Sequence, residues 1–269
     1  MIVVVCYQVV MVTELGHKNL APERQRRVLA LVRDHGAVRV DELCDILEVS
    51  PATIRRDLEI LEGTGSLRRV HGGAVSGGGL LEEPLFDDKT QVASHEKQRI
   101  AQRALQHINS GDTVYVDGGS TLLELAALLR DRNDVTVVTN SLRAAAELSA
   151  TGPRLILLGG ELRRRSQTIT GTLTRTLLQT LSLDVACMGT IGVTADSLTT
   201  TDPGEAFTKE LVMSRSKRVL LLADSQKIGK ISFAHAGRLQ DVDTFITDQN
   251  APASFLKEIR TLGIAVEIV

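Results

Sequence analysis

Ser50-Pro51-Ala52-Thr53-Ile54-Arg55-Arg56-Asp57-Leu58, followed by Leu67-Arg68-Arg69-Val70-His71-Gly72-Gly73-Ala74, is the most informative run in this chain. Ser50 is a good helix N-cap, and Pro51 suits the first turn, where a missing N–H leaves no bond unmade. Ile54, Leu58 and Leu61 recur at helical spacing and predict a buried face. Ala52, Thr53, Arg55, Arg56 and Glu59 are thereby left off the core side, with both arginines near the N-terminal half. A recognition helix presents that part to base edges and phosphates. In the second run, Arg68, Arg69 and His71 stand beside Gly72 and Gly73, which predicts a two-stranded wing. Its glycines would let the chain turn tightly and approach a sugar-phosphate backbone.

Upstream, Arg24 to His35 carries Val28, Leu31 and Val32 on one face and ends at Gly36, which predicts a first helix. Val38 and Val40 predict a short extended piece. Asp41 and Glu42 then stand where a helix N-terminus favours negative charge, and Leu43, Ile46 and Leu47 supply an apolar stripe. A tight turn at Glu48-Val49 leads back to Ser50. Helix, short strand, helix, turn, helix and hairpin make a winged helix-turn-helix. The helices alone would serve equally for a small structural bundle. The second arginine pair, next to glycines, favours double-stranded DNA as the partner. The expected DNA-contacting set is Ser50, Ala52, Thr53, Arg55, Arg56, Arg68, Arg69, His71 and Gly72.

The 269 residues suffice for one small and one medium domain, each with its own core. A hydrophobic content of 43% with 24% charged residues is ordinary for a soluble globular chain. The formal net charge of −2 does not mark a nucleic-acid binder. Asp41, Glu42, Asp45 and Glu48 offset much of the arginine charge, but they cluster on the second helix. DNA affinity therefore depends on a local basic surface. Cys6, Cys44 and Cys187 lack the spacing of a zinc site or disulfide framework. Cys44 and Cys187 are expected as buried thiols, which fits a reducing cytoplasm. Met1 to Val12 is hydrophobic but has no basic leading segment or cleavage site, and is too short to span a bilayer. An added strand, a disordered tail and a truer start at Met11 all stay open for it. No catalytic residue, metal or cofactor is expected.

Ser76-Gly77-Gly78-Gly79 is a flexible joint, and Glu82 to Thr90 continues as a polar connector containing Pro84. Beyond it, strands at Thr113–Val116, Val135–Val138, Leu155–Leu158, Val185–Met188, Val219–Leu222 and Thr244–Ile246 are expected among amphipathic helices. Ala265–Val269 is expected as an edge strand. This alternation predicts an α/β domain with a mainly parallel sheet covered on both faces. Small polar turns follow the strands: Asp117-Gly118-Gly119-Ser120-Thr121, Thr139-Asn140-Ser141, Gly159-Gly160, Gly189-Thr190-Ile191-Gly192 and Ala223-Asp224-Ser225. Any one of them is most simply a tight turn. Together, at strand carboxyl ends and helix N-termini, they point to a small phosphorylated ligand.

Both halves resemble the DeoR family of bacterial transcriptional regulators. The first half does so through Glu23-Arg24-Gln25-Arg26-Arg27, Thr53-Ile54-Arg55-Arg56-Asp57-Leu58 and Arg69-Val70-His71-Gly72-Gly73-Ala74. Gly63-Thr64-Gly65 departs from the family's charged residues before a single glycine. The second half does so through Glu96-Lys97, Asp117 to Thr121, Val137 to Ser141, Leu198-Thr199-Thr200, Glu205 with Lys209, and Asp224-Ser225 with Lys227. Ser120 replaces a common threonine, and Gln226 replaces a common serine. The resemblance implies a sensor fold similar to ribose-5-phosphate isomerase and CoA-transferase domains, and a phosphorylated sugar as effector.

Glu205 and Lys209 alone would read as an ordinary exposed i,i+4 pair. The resemblance places them near the crevice, with Lys209 and Lys227 recognising the effector's charge and Asp224 either holding a hydroxyl or capping its loop. The expected effector set is Asp117, Gly118, Gly119, Ser120, Thr121, Thr139, Asn140, Ser141, Gly160, Gly192, Glu205, Lys209, Asp224 and Lys227. The expected organisation is an N-terminal extension over 1–22, a winged helix-turn-helix over 23–75, a linker over 76–94 and a sensor domain over 95–269. The implied protein is a cytoplasmic, effector-controlled repressor acting as a homodimer or homotetramer on operator DNA, with no membrane partner. The alternative is a sugar-phosphate isomerase or CoA-transferase-like enzyme with an attached DNA-binding domain.

Overall fold

Residues 21–35, 37–63, 67–70, 72–76, 83, 85–150 and 152–269 are described by the structure, a computed structural model. The chain divides into two units, residues 1–82 and 83–269. In the first, α1 (Ala21–His35), α2 (Val40–Leu47) and α3 (Pro51–Gly63) enclose Val28, Val32, Leu43, Leu47, Ile54, Leu58 and Leu61. The apolar stripe of α3 is the one its spacing predicts. Ser50 caps this helix, its Oγ accepting from the Thr53 amide at 3.3 Å. Asp57, inside the arginine run, is 2% exposed and ties α3 to α1. It accepts from Nε and Nη2 of Arg24 at 2.5 and 3.2 Å, and from Nε2 of Gln25 at 3.0 Å.

β1 (Ala37–Arg39), β2 (Leu67–Val70) and β3 (Gly73–Ser76) form an antiparallel sheet in the order β1-β3-β2. A Cβ on Gly73 would fall 2.4 Å from the Val38 carbonyl oxygen, so β3 can lie against β1 only with glycine there. This demand for glycine exists without any ligand. Of the extension expected over 1–22, residues 1–20 lie outside the described residues, and α1 begins at Ala21.

The second unit is built on a seven-stranded sheet ordered β15-β14-β12-β9-β4-β5-β6, every neighbouring pair parallel. α4 (Phe86–Gln91) and α5 (Ser94–Leu105) lead into β4 (Thr113–Val116). Then come α6 (Ser120–Leu129), β5 (Thr136–Thr139), α7 (Leu142–Leu148) and β6 (Arg154–Leu157). A hairpin of β7 (Glu161–Arg163) and β8 (Thr168–Thr170) precedes α8 (Thr172–Gln179) and β9 (Leu183–Met188). β10 (Gly192–Val193) and β11 (Ser197–Thr200) lead to α9 (Pro203–Ser214) and β12 (Ser216–Leu222). β13 (Ala234–Arg238), β14 (Thr244–Thr247), α10 (Ala253–Thr261) and β15 (Ala265–Ile268) complete the chain. β10, β11 and β13 form a separate small sheet.

The apolar strand runs divide between two cores by the pleat. Val114 and Val116 join Ile100 of α5 and Leu122, Leu125 and Leu129 of α6. Tyr115, between them, joins Val212 of α9 and Phe255 and Ile259 of α10. From β4 the chain builds outward through β5 to the edge at β6, then returns to the other side of β4 as β9. The loops leaving β4 and β9 therefore diverge, and such a reversal of strand order opens a crevice at the strands' carboxyl ends.

Residues 83 and 85–94, read from the sequence as the end of a linker, belong to this second unit. Phe86 is buried and α4 packs against α6. The apolar anchor Phe86 precedes the polar run Asp87 to Gln91, which hides a docked helix from a reading of composition. Cys187 is buried as expected, and burial pushes its thiol up to about 12. Cys44 is only half-buried, contrary to expectation. Among the described residues no helix is long and apolar enough to cross a membrane, and no cluster of metal-ligating side chains forms.

Candidate ligand cleft and nucleic-acid interface

The cleft starts at the end of β4 with Asp117, 3% exposed. Its Oδ2 accepts from the Gly189 amide at 3.0 Å and from Lys209 Nζ, which also donates to the Gly189 carbonyl at 3.0 Å. Asp117 thus ties together the two diverging loops. Gly118 follows, where a Cβ would fall 2.2 Å from Thr168 Cγ2. At the start of α6, Leu123 is the first residue whose amide finds a backbone acceptor, Gly119 O at 3.0 Å. The amides of Gly119, Ser120 and Thr121 and the hydroxyls of Ser120 and Thr121 have no partner among the described residues, and all three residues border the cleft. Unpaired donors at the positive end of a helix dipole form an anion site.

Three lysines besides Lys209 border the same cleft. Lys227 is half-buried, and its ammonium has no ion pair or hydrogen bond among the described residues. Burial pulls its ammonium down to about 8 against the opposing pull of Asp224. Lys97 donates to the carbonyls of Lys89, at 2.6 Å, and Val92; burial lowers its pKa, with Asp224 again opposing. Lys89 pairs with Glu83 at 2.6 Å. Asp224 is buried and its Oδ1 accepts from the Gln226 amide at 3.2 Å.

The remaining wall comes from α9 and the β7–β8 hairpin. Glu205 Oε1 accepts from Thr168 Oγ1 at 2.7 Å and Arg163 Nη1 at 3.2 Å, while Oε2 accepts from Thr200 Oγ1 at 3.1 Å. Glu205 and Lys209 do not pair with each other, as the simple i,i+4 reading has them; each has a buried partner elsewhere. Asn140 is 2% exposed, its Nδ2 donating to Ile169 O at 3.1 Å and its Oδ1 left without a partner.

On the first unit, Ser50, Ala52, Arg55, Arg56, Arg69 and Gly72 are exposed and Thr53 is half-buried. Arg55 and Arg56 engage no acceptor among the described residues, so both guanidiniums are available to phosphates and bases. The Arg68 side chain and His71 lie outside the described residues.

Residues 24–77 match the DeoR-like helix-turn-helix domain, and residues 92–249 match the DeoR C terminal sensor domain. The chain belongs to the DeoR family. It is 36% identical over 248 residues to the HTH-type transcriptional regulator GlpR of Haloferax volcanii, covering 92% of this chain and 97% of that one. It is 33% identical over 248 residues to the glycerol-3-phosphate regulon repressor of Escherichia coli, covering 91% and 98%. A ribose 5-phosphate isomerase A from Methanocaldococcus jannaschii aligns with 51% of this chain and 55% of its own, at 17% identity and a TM-score of 0.39. The chain is a DNA-binding transcriptional regulator of DeoR type, with its helix-turn-helix in the first unit and its sensor domain in the second.

In this DeoR-family sensor the cleft brings together Asp117, Gly118, Gly119, Ser120, Thr121, Asn140, Glu205, Lys209, Asp224 and Lys227 from the expected effector set. Four expected members do not line it. Thr139 Oγ1 donates to Val116 O at 2.6 Å and accepts from the Ser141 amide, so it is spent on its own turn. Ser141 caps α7 through the Ala144 amide at 3.2 Å. Gly160 follows the edge strand β6, away from the reversal point, and a Cβ there would meet Thr170 O at 2.3 Å. Gly192 belongs to β10, where a Cβ would meet Lys230 O at 2.3 Å. These glycines serve packing. Sequence reasoning missed Glu83, Lys89, Lys97, Ser166, Thr168 and Thr200 as cleft residues, and took in Thr190 only as part of its turn. Lys97 and Thr200 sat inside the motifs that carry the resemblance; Glu83 and Lys89 gave no local signal.

Proposed function

We propose that this chain is a repressor, acting as a dimer or tetramer on operator DNA, whose DNA affinity is set by a small sugar phosphate or related phosphorylated metabolite in the cleft. The observation that carries the reading is the unpaired amide and hydroxyl set at the start of α6, facing a cleft that also holds the unpaired Lys227. A phosphate oxygen shell suits those donors. Asp224, Asn140 and Glu205 supply acceptors for the hydroxyls of the ligand's carbon chain. The glycerol-3-phosphate regulon repressor, similar over nearly the whole length, supports a phosphate ester as the signal. Such a ligand changes DNA affinity only by binding the DNA-competent and incompetent states unequally.

The test is a panel of glycerol 3-phosphate and pentose and hexose phosphates, with calorimetric binding, release of DNA selected in vitro by this chain, and detection of product. At least one ester is expected to bind and release DNA without being converted. Thr121→Val should weaken that binding by roughly tenfold or more, as for a lost hydrogen bond to a charged group, while leaving DNA affinity of the free protein unchanged. Failure of every ester to bind, or steady turnover of one, contradicts the reading.

A further inference from the structure

We propose that Glu83 is an internal carboxylate that a bound anion displaces, and that its release carries the state of the cleft into the connector. The proposal rests on the reading of the cleft as an anion-binding effector site. Glu83 opens the second unit, and only residues 77–82 separate it from Ser76, the last residue of the wing strand β3. Glu83 is thus the described residue of the second unit nearest in sequence to the wing.

Glu83 is 1% exposed and both its oxygens are engaged. Oε1 accepts from Lys89 Nζ at 2.6 Å; Oε2 accepts from Arg163 Nη1 at 2.5 Å and Thr201 Oγ1 at 2.9 Å. Burial alone would raise its pKa, but Lys89 and Arg163 hold the carboxyl at about 2, so it is an anion at neutral pH. Arg165 Nε also donates to the Glu83 carbonyl at 2.5 Å. Among the described residues of this segment, Phe86 is buried, whereas Leu85 and Val92 are exposed. The segment is therefore strapped down chiefly by charge. Its polar anchors Glu83, Lys89 and Lys97 border the same cleft as the start of α6.

The charge balance makes the strap sensitive to a ligand. Lys89 and Arg163 already face Glu83, Glu205 and Asp202, two cations against three carboxylates. A phosphate dianion brings more charge and more acceptor oxygens than a carboxylate, so it competes for Lys89 and repels Glu83. A buried carboxylate that loses part of its counter-charge is poorly tolerated. Its release frees the start of the second unit, which follows the wing strand after residues 77–82 in sequence.

The experiment uses the full chain and its Glu83→Gln variant, with glycerol 3-phosphate as probe, or inorganic phosphate if the ester does not bind. Hydrogen exchange is followed in residues 83–92 and in β4 and β9, probe affinity by calorimetry, and affinity for in-vitro-selected DNA by anisotropy. In the wild-type chain, saturating probe should speed exchange of 83–92 while β4 and β9 stay protected. Without probe, Glu83→Gln should show that faster exchange and bind DNA about tenfold more weakly, within the usual range of allosteric coupling. It should also bind the probe more tightly, because its competitor is gone; a merely structural Glu83 predicts weaker binding. Saturation that leaves 83–92 unchanged or slower overturns the proposal, as does a Glu83→Gln chain with wild-type exchange, wild-type DNA affinity or weakened probe binding. If neither probe binds, the effector reading fails on its own. The exchange and DNA affinity of Glu83→Gln then decide the strap by the same criteria.

Discussion

Lys227 stands half-buried at the cleft with no ion pair among the described residues, while Lys209, eighteen positions earlier, is locked to Asp117 and Gly189. The first is free for a ligand and the second holds the loops in place, though the two looked alike in sequence. Burial brings the Lys227 pKa down to about 8, with Asp224 opposing and Lys89, Lys230 and Lys97 assisting. The sign for binding follows directly. A phosphate beside Lys227 favours its charged form and raises that pKa, so binding takes up a proton above pH 8. Affinity should therefore be flat just below pH 8 and fall, by at most about tenfold per pH unit, as pH rises above it. Calorimetry at pH 8.5 in buffers of different ionisation heat should detect the proton, and Lys227→Met should abolish the pH dependence. A phosphate ester is already dianionic at that pH and contributes no competing titration.

Helix α3 carries two functions on two faces. Ile54, Leu58 and Leu61 fill the core, Asp57 holds Arg24, and the remaining surface exposes Arg55 and Arg56. Arg56→Ala should leave folding intact, because the side chain has no partner among the described residues, and weaken operator binding by roughly 1–3 kcal/mol if it reads a base. Anisotropy on selected DNA measures this; wild-type affinity in the variant would remove Arg56 from the interface. The wing shows the limit of local inference. Gly72 and Gly73 read from sequence as room for a DNA backbone, yet Gly73 is demanded by the Val38 carbonyl of the neighbouring strand. The strand-end loops divide in the same way. Those after β4 and β9 face the crevice, whereas the loop after β6 lies at the sheet edge, because strand order and not loop composition positions the opening.

The two units have separate cores, one around Ile54 and Leu58 and two flanking the parallel sheet. Damage to one should therefore spare the other. Asp57→Ala removes the buried carboxylate that accepts from Arg24 and Gln25 and should destabilise the first unit by about 1–3 kcal/mol. Chemical denaturation should show a weakened transition and DNA binding should fall, while calorimetry should find phosphate-ester affinity unchanged. Parallel loss of both activities would mean that the units fold as one.

The three helices of the first unit, the strands of the parallel sheet and the division into a winged helix-turn-helix and an α/β sensor were legible in the residues, whereas the β7–β8 hairpin, the small sheet of β10, β11 and β13 and the docked α4 were not. Those features follow from local periodicity: three- and four-residue spacing for α3, uninterrupted valines and leucines for buried parallel strands, and caps such as Ser50. Motifs such as Asp117 to Thr121 also pointed to the cleft, since glycine, hydroxyls and a helix start are local properties. Which loops share the cleft, and that Glu83 and Lys89 belong to it, depended on the strand order β12-β9-β4-β5 and on the docking of residues 83–92. These are contacts between residues far apart in the chain, Glu83 with Arg163 and Thr201, Asp117 with Lys209. A charged residue in a polar stretch carries no mark of the partner that will bury it; only the folded arrangement supplies one.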